Sequence, residues 1–459
     1  MSIKKHLLAL AISACVAAPA ASQEGLMDVY RLALQNDPAI REAEATYLAN
    51  AEVKPQARAA LLPGLTLGST LSNRFQDTRG GALSPEGIPI GTRSIFDQDG
   101  DGWSISLSQT IFDWSQYATL RQADKRVARA ETDYEAAKQQ LLLRIATSYF
   151  DVLAAEDNLA SAVAARESVS RQLEQSQRRF EVGLIAITDV QQSQAGFDDA
   201  VATEIEAQRL VANANEVLRE IVGEIIPDLA SPDDELPLLS PEPANADEWV
   251  QTALRQNLAL TSSRLAADVA LDDVAIQRAN RLPTVNLSAS YSEDTNDRTQ
   301  TIFRDPIPPL VSTTTQLPDG RSWSINLQFP IFTGGLNRSR IQQSVYLHRA
   351  ATEALERMAR QTERQTRDAY LGVISEIERV RALRQAVESN RTALRATEAG
   401  FEVGTQTTVD VLASQNNLRR AETTYSRSRY DYILNILRLK QAAGSLAEAD
   451  VQQVDGWLQ

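Results

Sequence analysis

Arg179-Phe180-Glu181-Val182-Gly183-Leu184-Ile185-Ala186-Ile187-Thr188-Asp189-Val190 closes a stretch that begins at Phe112 and runs about 70 residues without a glycine or a proline. A helix of that length would be roughly 100 Å long, far beyond the roughly 11–12 residues of an average globular helix. A second stretch, Gly335 to Val403, also lacks proline and is interrupted only by Gly372 and Gly400. It closes on Gly400-Phe401-Glu402-Val403-Gly404-Thr405-Gln406-Thr407-Thr408-Val409-Asp410-Val411. Each signature reads as a tight turn that doubles a long helix back on itself. The tips lie near residues 182–189 and 403–410.

Working outward, the chain reads as two copies of one unit. Ala33-Leu34 recurs as Ala253-Leu254, Leu62-Pro63 as Leu282-Pro283, and Ile111-Phe112 as Ile331-Phe332. Trp103-Ser104-Ile105-Ser106-Leu107 recurs as Trp323-Ser324-Ile325-Asn326-Leu327. The expected division is a first repeat over 23–222, a Pro-rich connector over 223–247, a second repeat over 248–444 and a short tail over 445–459. Within each copy the expected order is helix, strand, loop, strand, long helix, turn, helix. The first helix should run from Leu26 to Leu61 with a break near Asp37-Pro38, and Pro63 should stop it. The last, from about Thr407, should end at Gly444.

Alternation places strands at 65–75, 103–112, 284–292 and 323–332. Leu65, Leu67, Leu71 and Phe75 fall on one face of the first, opposite Thr66, Gly68, Thr70, Ser72 and Arg74. Segments of this length suit tilted transmembrane strands, which need about 9–11 residues. Phe75, Trp103, Tyr291 and Trp323 sit beside the expected loops, and Phe112, Phe329 and Phe332 at the other ends, as in two interfacial girdles. A small soluble sheet is the competing reading. Four strands cannot close a barrel, and an open edge is not tolerated in lipid, so several chains must contribute. Two copies would supply eight strands and three would supply twelve.

The long helices carry a stripe near period 3.5: Val373, Val380, Val387, Leu394 and Phe401 in one copy. Val152, Leu159, Leu173 and Phe180 form it in the other, with Arg166 as the gap. That spacing implies coiled-coil pairing around a narrow core. A soluble coiled-coil rod would explain the helices but not the strands.

Residues 1–22 read as a secretory signal peptide, with Lys4 and Lys5 before the apolar run Leu7 to Ala14. A lipoprotein signal around Cys15 is the rival reading. No later segment is apolar enough for a helical membrane span. A formal charge of −14 argues against a nucleic-acid partner. His348 is the one histidine past the leader, so metal and His-base chemistry have little to work with. No catalytic group, cofactor or metal site is expected, and no hydrolase constellation is present. Asp97-Gln98-Asp99-Gly100-Asp101-Gly102 fits the start of a calcium loop, but Ser108 stands where the twelfth-position Glu belongs, so an acidic surface loop over Gln76–Gly102 is expected instead.

The two-copy order, Leu61-Leu62-Pro63 before the first strand, and the strings RFEVGLIAITDVQ (179–191) and GFEVGTQTTVDVL (400–412) resemble the TolC-like outer-membrane efflux proteins. The resemblance covers nearly the whole chain past the leader. It implies a mixed α/β membrane protein: a homotrimer with four strands per chain in an outer-membrane β-barrel, continued by a periplasmic α-helical barrel of coiled-coil hairpins. It implies an exit duct for tripartite efflux and type I secretion in a Gram-negative bacterium. The partners implied are a periplasmic adaptor (membrane fusion protein), an inner-membrane transporter of RND, ABC or MFS type, and outer-membrane lipid. The alternative is a stand-alone porin or structural envelope trimer, though a porin's periplasmic turns are short.

The resemblance also implies site residues. Asp189 and Asp410, at equivalent places in the two tips, would form carboxylate rings of a gate, with Thr188, Gln406 and Phe401 beside them. The other reading is that each aspartate caps its returning helix. Val182, Gly183, Leu184, Val403, Gly404 and Thr405 would dock the adaptor. The family pattern is incomplete here. Ala413 replaces a second acid, and Phe401 and Gln406 stand where a Tyr and an Arg usually tie the second hairpin to the first-tip aspartate. A closed state held less firmly is expected.

Overall fold

The computed structural model describes residues 23–83, 89–232, 236–304 and 307–458. The expected leader, with Cys15, lies outside the described residues. The elements run α1 (Leu26–Asn36), α2 (Pro38–Ala51), α3 (Val53–Ala59), β1 (Gly64–Leu83), β2 (Pro89–Phe112), α4 (Trp114–Glu181) and α5 (Ile187–Val222). There follow α6 (Ala246–Gln256), α7 (Leu258–Ala279), β3 (Thr284–Arg304), β4 (Ile307–Gln316), β5 (Asp319–Gln328), α8 (Leu336–Glu402), α9 (Thr408–Ala443) and α10 (Glu448–Asp455). The two long helices have 68 and 67 residues, as their lack of breakers demanded. Among the described residues no helix is long and apolar enough to cross a membrane. The chain divides into two compact units.

One unit holds Ala136–Asn257, Thr362–Gln459 and the described residues up to Glu42. Here the hairpins pair along the expected stripe: Val152, Val373, Val380, Val387 and Phe401 are buried. Arg166, the gap in the stripe, forms an ion pair with Glu204 across the first hairpin. Phe180 breaks the pattern and is exposed. Asp37 ends α1 and accepts the Ala39 N–H at 3.3 Å, while Pro38 opens α2, where its missing N–H costs nothing. The helix ends of the two copies are finished alike. The Asn36 amide donates to Val222 O at 2.9 Å, and the Asn257 amide to Ala442 O at 3.0 Å. Each fills an orphan carbonyl where α5 or α9 stops.

The described residues of the connector and tail are packed. Tyr149 donates to Ala230 O at 2.6 Å, and Arg429 to Pro232 O at 3.0 Å. Ile226, Leu229 and Ala230 are buried. The tail forms α10, with Val451 and Val454 buried, and Asp455 accepts the Met27 N–H at 3.3 Å. Burial pushes the Tyr149 and Tyr430 hydroxyls well above the ordinary tyrosine range.

The other unit holds Ala43–Glu135 and Leu258–Gln361. Its sheet is antiparallel, in the order β1–β2–β3, with β4 and β5 both beside β3. β4 pairs with β3 over 296–304 and β5 with β3 over 284–293, so the two form one lane broken at Leu317-Pro318. Four lanes result, as expected. β1 and the β4/β5 lane each keep an unpaired edge.

The strands are longer than alternation suggested. Most of Gln76–Gly102, expected as a loop, continues β1 and β2, and much of 293–322 belongs to β3, β4 and β5. Their Gly, Asp and Arg content hid this, because β propensity depends on cross-strand neighbours more than on the residue itself. Arg93 pairs with Asp77 at 2.8 Å across two of these strands. The calcium-like hexapeptide lies in β2, and an extended strand cannot wrap an ion. The strand expected at 323–332 stops at Gln328, ahead of Pro330, whose nitrogen has no hydrogen for a ladder.

Register separates the two faces. Paired residues share a face, and faces alternate along a strand. One face carries Leu65–Leu107–Ala289–Trp323 and Leu67–Ile105–Tyr291–Arg321 in rows. Leu65, Leu67 and Leu71 there are 72–87% exposed in the single chain, which in water would be an aggregation surface. The opposite face carries Gly64–Ser108–Ser288–Ser324 and Thr66–Ser106–Ser290–Ser322. Its serine hydroxyls pair at 2.8 Å, Ser288 with Ser324 and Ser290 with Ser322. An apolar outer face with an aromatic rim and a hydroxyl-lined inner face is the pattern of a membrane barrel wall.

Candidate gate at the hairpin tips

Both long helices end in the same Schellman turn. Gly183 and Gly404 have φ of 78° and 79°, which an L side chain would resist. Leu184 N–H reaches Arg179 O at 2.9 Å and Gly183 N–H reaches Phe180 O at 2.9 Å. In the second tip Thr405 N–H reaches Gly400 O at 2.8 Å and Gly404 N–H reaches Phe401 O at 3.2 Å. The turns present Val182, Leu184 and Val403 at 70–76% exposure.

Asp189 and Asp410 are the third residues of the returning helices, not their caps. The Asp189 Oδ2 accepts the Ala186 N–H at 3.2 Å. The Asp410 Oδ2 accepts the Thr407 N–H at 2.9 Å and the Thr407 hydroxyl at 2.7 Å. The Asp410 N–H in turn lies 3.3 Å from the Thr407 hydroxyl, so the second tip is a reciprocal capping box with Asp in place of Glu. The Thr407 hydroxyl, then its backbone N–H, hold the Asp410 carboxyl below the usual carboxylate range. In each aspartate the hydrogen bonds formed use Oδ2 and leave Oδ1 open. Capping and a pore-facing charge are therefore compatible in one side chain.

The other expected gate residues are placed differently. Thr188 and Gln406 are exposed. Phe401 is buried at 7% exposure, under the Arg179 guanidinium at 4.8 Å from the ring centroid. Arg179 also donates to Phe401 O at 3.3 Å. The ring thus anchors one hairpin to the other rather than being presented at the tip. Gly400 makes room beside it: a Cβ there would stand 2.7 Å from Gln406 Cγ. Arg179 was not among the gate residues expected from the sequence. Its signal was the mismatch of Arg179 with Gly400 at equivalent tip positions. Gly196 was missed too; a Cβ there would meet Leu412 Cδ1 at 2.9 Å, so a larger residue would force the Leu412 side chain to shift. Deeper between the hairpins, Gln415 donates to Ser168 at 3.0 Å, and Ser176 and Ser193 pair at 2.9 Å within the first. Among the described residues no group of His, Cys, Asp or Glu could hold a metal ion.

A sheet with a lipid-type outer face and a polar inner face, joined in one chain to two hairpins of this length, defines an outer-membrane channel rather than a soluble rod or a short-turned porin. The comparisons with known proteins agree. The family model described as outer membrane efflux protein matches twice, over residues 29–224 and 249–445. The chain belongs to that family. It is 35% identical to the outer membrane protein TolC of Vibrio cholerae, over 99% of each chain. It is 30% identical to the alkaline protease secretion protein AprF of Pseudomonas aeruginosa, over 94% of this chain and 86% of the relative. The crystal structure of the Campylobacter jejuni CmeC outer membrane channel superposes with a TM-score of 0.73, covering 95% of this chain and 90% of that one, at 17% identity. The chain is an exit duct of the Gram-negative outer membrane, in the class that serves efflux and type I secretion.

Proposed function

We propose that three copies of the chain close a twelve-lane barrel and that the hairpin tips form its periplasmic gate, opened when an adaptor and an inner-membrane transporter dock. The observation that carries this reading is the matched pair of tips, each a Schellman turn displaying exposed apolar residues. Val182, Gly183, Leu184, Val403, Gly404 and Thr405 are the docking surface. Asp189 and Asp410 line the gate through their open Oδ1 atoms, with Thr188 and Gln406 beside them. A ring of such carboxylates attracts cations and repels anions. The chain performs no catalysis in this reading; the inner-membrane partner supplies the energy.

The test replaces Gly183 and Gly404 with valine, which penalises the positive φ by about 1–2 kcal/mol at each tip. The expected result is loss of efflux with normal assembly in the outer membrane. Unchanged efflux would contradict docking through these tips.

A further inference from the structure

The inner face of the sheet is nearly free of charge. From the Gly64 row outward its rows hold Gly, Ser, Thr, Asn and Gln, with Asp294 as the one carboxylate among the described residues before the row of Arg74. That row differs in kind: Arg74, Gln98, Arg298 and Thr314 stand in direct register across four lanes. Both arginines are exposed. Arg298 lies over the Phe96 ring at 4.3 Å, which holds its guanidinium flat on the wall. Neither forms an ion pair with a carboxylate of the described residues, and Asp294 is four residues away along β3, roughly 13 Å.

The outer face carries Arg79, Arg93 and Arg321; Arg79 lies 3.8 Å from Asp77, and Arg321 lies over the Tyr291 ring. Arg93 donates to both oxygens of Asp77, Nε to Oδ1 at 3.0 Å and Nη2 to Oδ2 at 2.8 Å. Among the described residues Arg93 has a carboxylate partner on the outer face, whereas Arg74 and Arg298 on the inner face have none. Uncompensated charge facing water inside a pore acts on what passes through it.

We propose that Arg74 and Arg298 form a cationic belt on the inner wall toward the outer end of the barrel, and that the belt recruits anionic groups of solutes or cargo to that wall. This rests on the three-copy barrel, in which every chain repeats the row. The belt is opposite in sign to the aspartates of the tips. The screening length at physiological salt is about 8 Å, so the belt acts near the wall and on polyvalent anions that span several guanidiniums.

The test uses purified protein in planar bilayers with inositol hexakisphosphate as the probe, added to each side in turn. The expected result is block of the conductance from the barrel side only, weakening in 1 M salt. In the double variant Arg74→Gln/Arg298→Gln the half-blocking concentration should rise at least about tenfold. Arg93→Gln, on the outer face, should leave the block unchanged. A conducting pore that the probe does not block, or blocks equally in the double variant, overturns the belt and leaves the duct intact. Equal loss of block in Arg93→Gln also overturns it. Absence of any conducting assembly overturns the duct reading and the belt with it.

Discussion

Arg179 and Phe401 join two hairpins through a cation–π contact and one hydrogen bond. The family pattern implied a phenol and a guanidinium on the second hairpin; here the guanidinium comes from the first, and the aromatic ring lacks its hydroxyl. A contact of this kind contributes about 0.5–2 kcal/mol. Arg179→Ala and Phe401→Leu should therefore be non-additive by about 1 kcal/mol in a thermal double-mutant cycle, and each should raise resting conductance. Strict additivity would remove the link. Gln406→Arg is the complementary change. The resemblance implies that a guanidinium at this position partners the first-tip aspartate, so resting conductance in bilayers should fall. At this scale the sequence was half legible. Glycines in positive φ announce themselves, because few other residues tolerate the conformation. The burial of Phe401 did not, since which hairpin covers the ring depends on packing between segments more than 200 positions apart.

Glu376 shows what the narrow helical core imposes on an element. It sits on α8 between Val373 and Ile377, is 7% exposed, and has Arg379 at 3.4 Å. Burial pushes its carboxyl up; Arg379 opposes that, and Asp431 adds to it. A carboxylate with a raised folded pKa destabilises the fold when charged. The penalty is full above the folded pKa and is relieved as pH falls toward the ordinary glutamate value of about 4.3. Glu376→Gln should raise the melting temperature at pH 7 and above, with a gain that shrinks as the medium is acidified. A pH-independent change would mean that packing, not charge, dominates there. The long helices and four lanes were readable because periodicity and the absence of breakers persist over many residues. The outer halves of the strands and the packed connector were not. Arg93–Asp77 and Tyr149–Ala230 stabilise them through partners distant in sequence, and locally those segments look like loops.

At the scale of the whole molecule, one chain is incomplete. Among the described residues its sheet has four lanes and two unpaired edges, and its outer face exposes Leu65, Leu67 and Leu71. In lipid such edges must be paired. Other copies of the same chain, with the same edges and the same faces, are the partners that symmetry offers most simply. The hydroxyl-lined face then becomes the wall of a bore wide enough to stay wet, between the eight-stranded barrels that side chains fill and the porins of 16 strands. The most direct measurement is the protein mass of the assembly extracted from outer membranes in mild detergent, by native mass spectrometry. The account predicts three copies of the mature chain, stable only while detergent or lipid covers the barrel. A monodisperse monomer that stays soluble without detergent would contradict it.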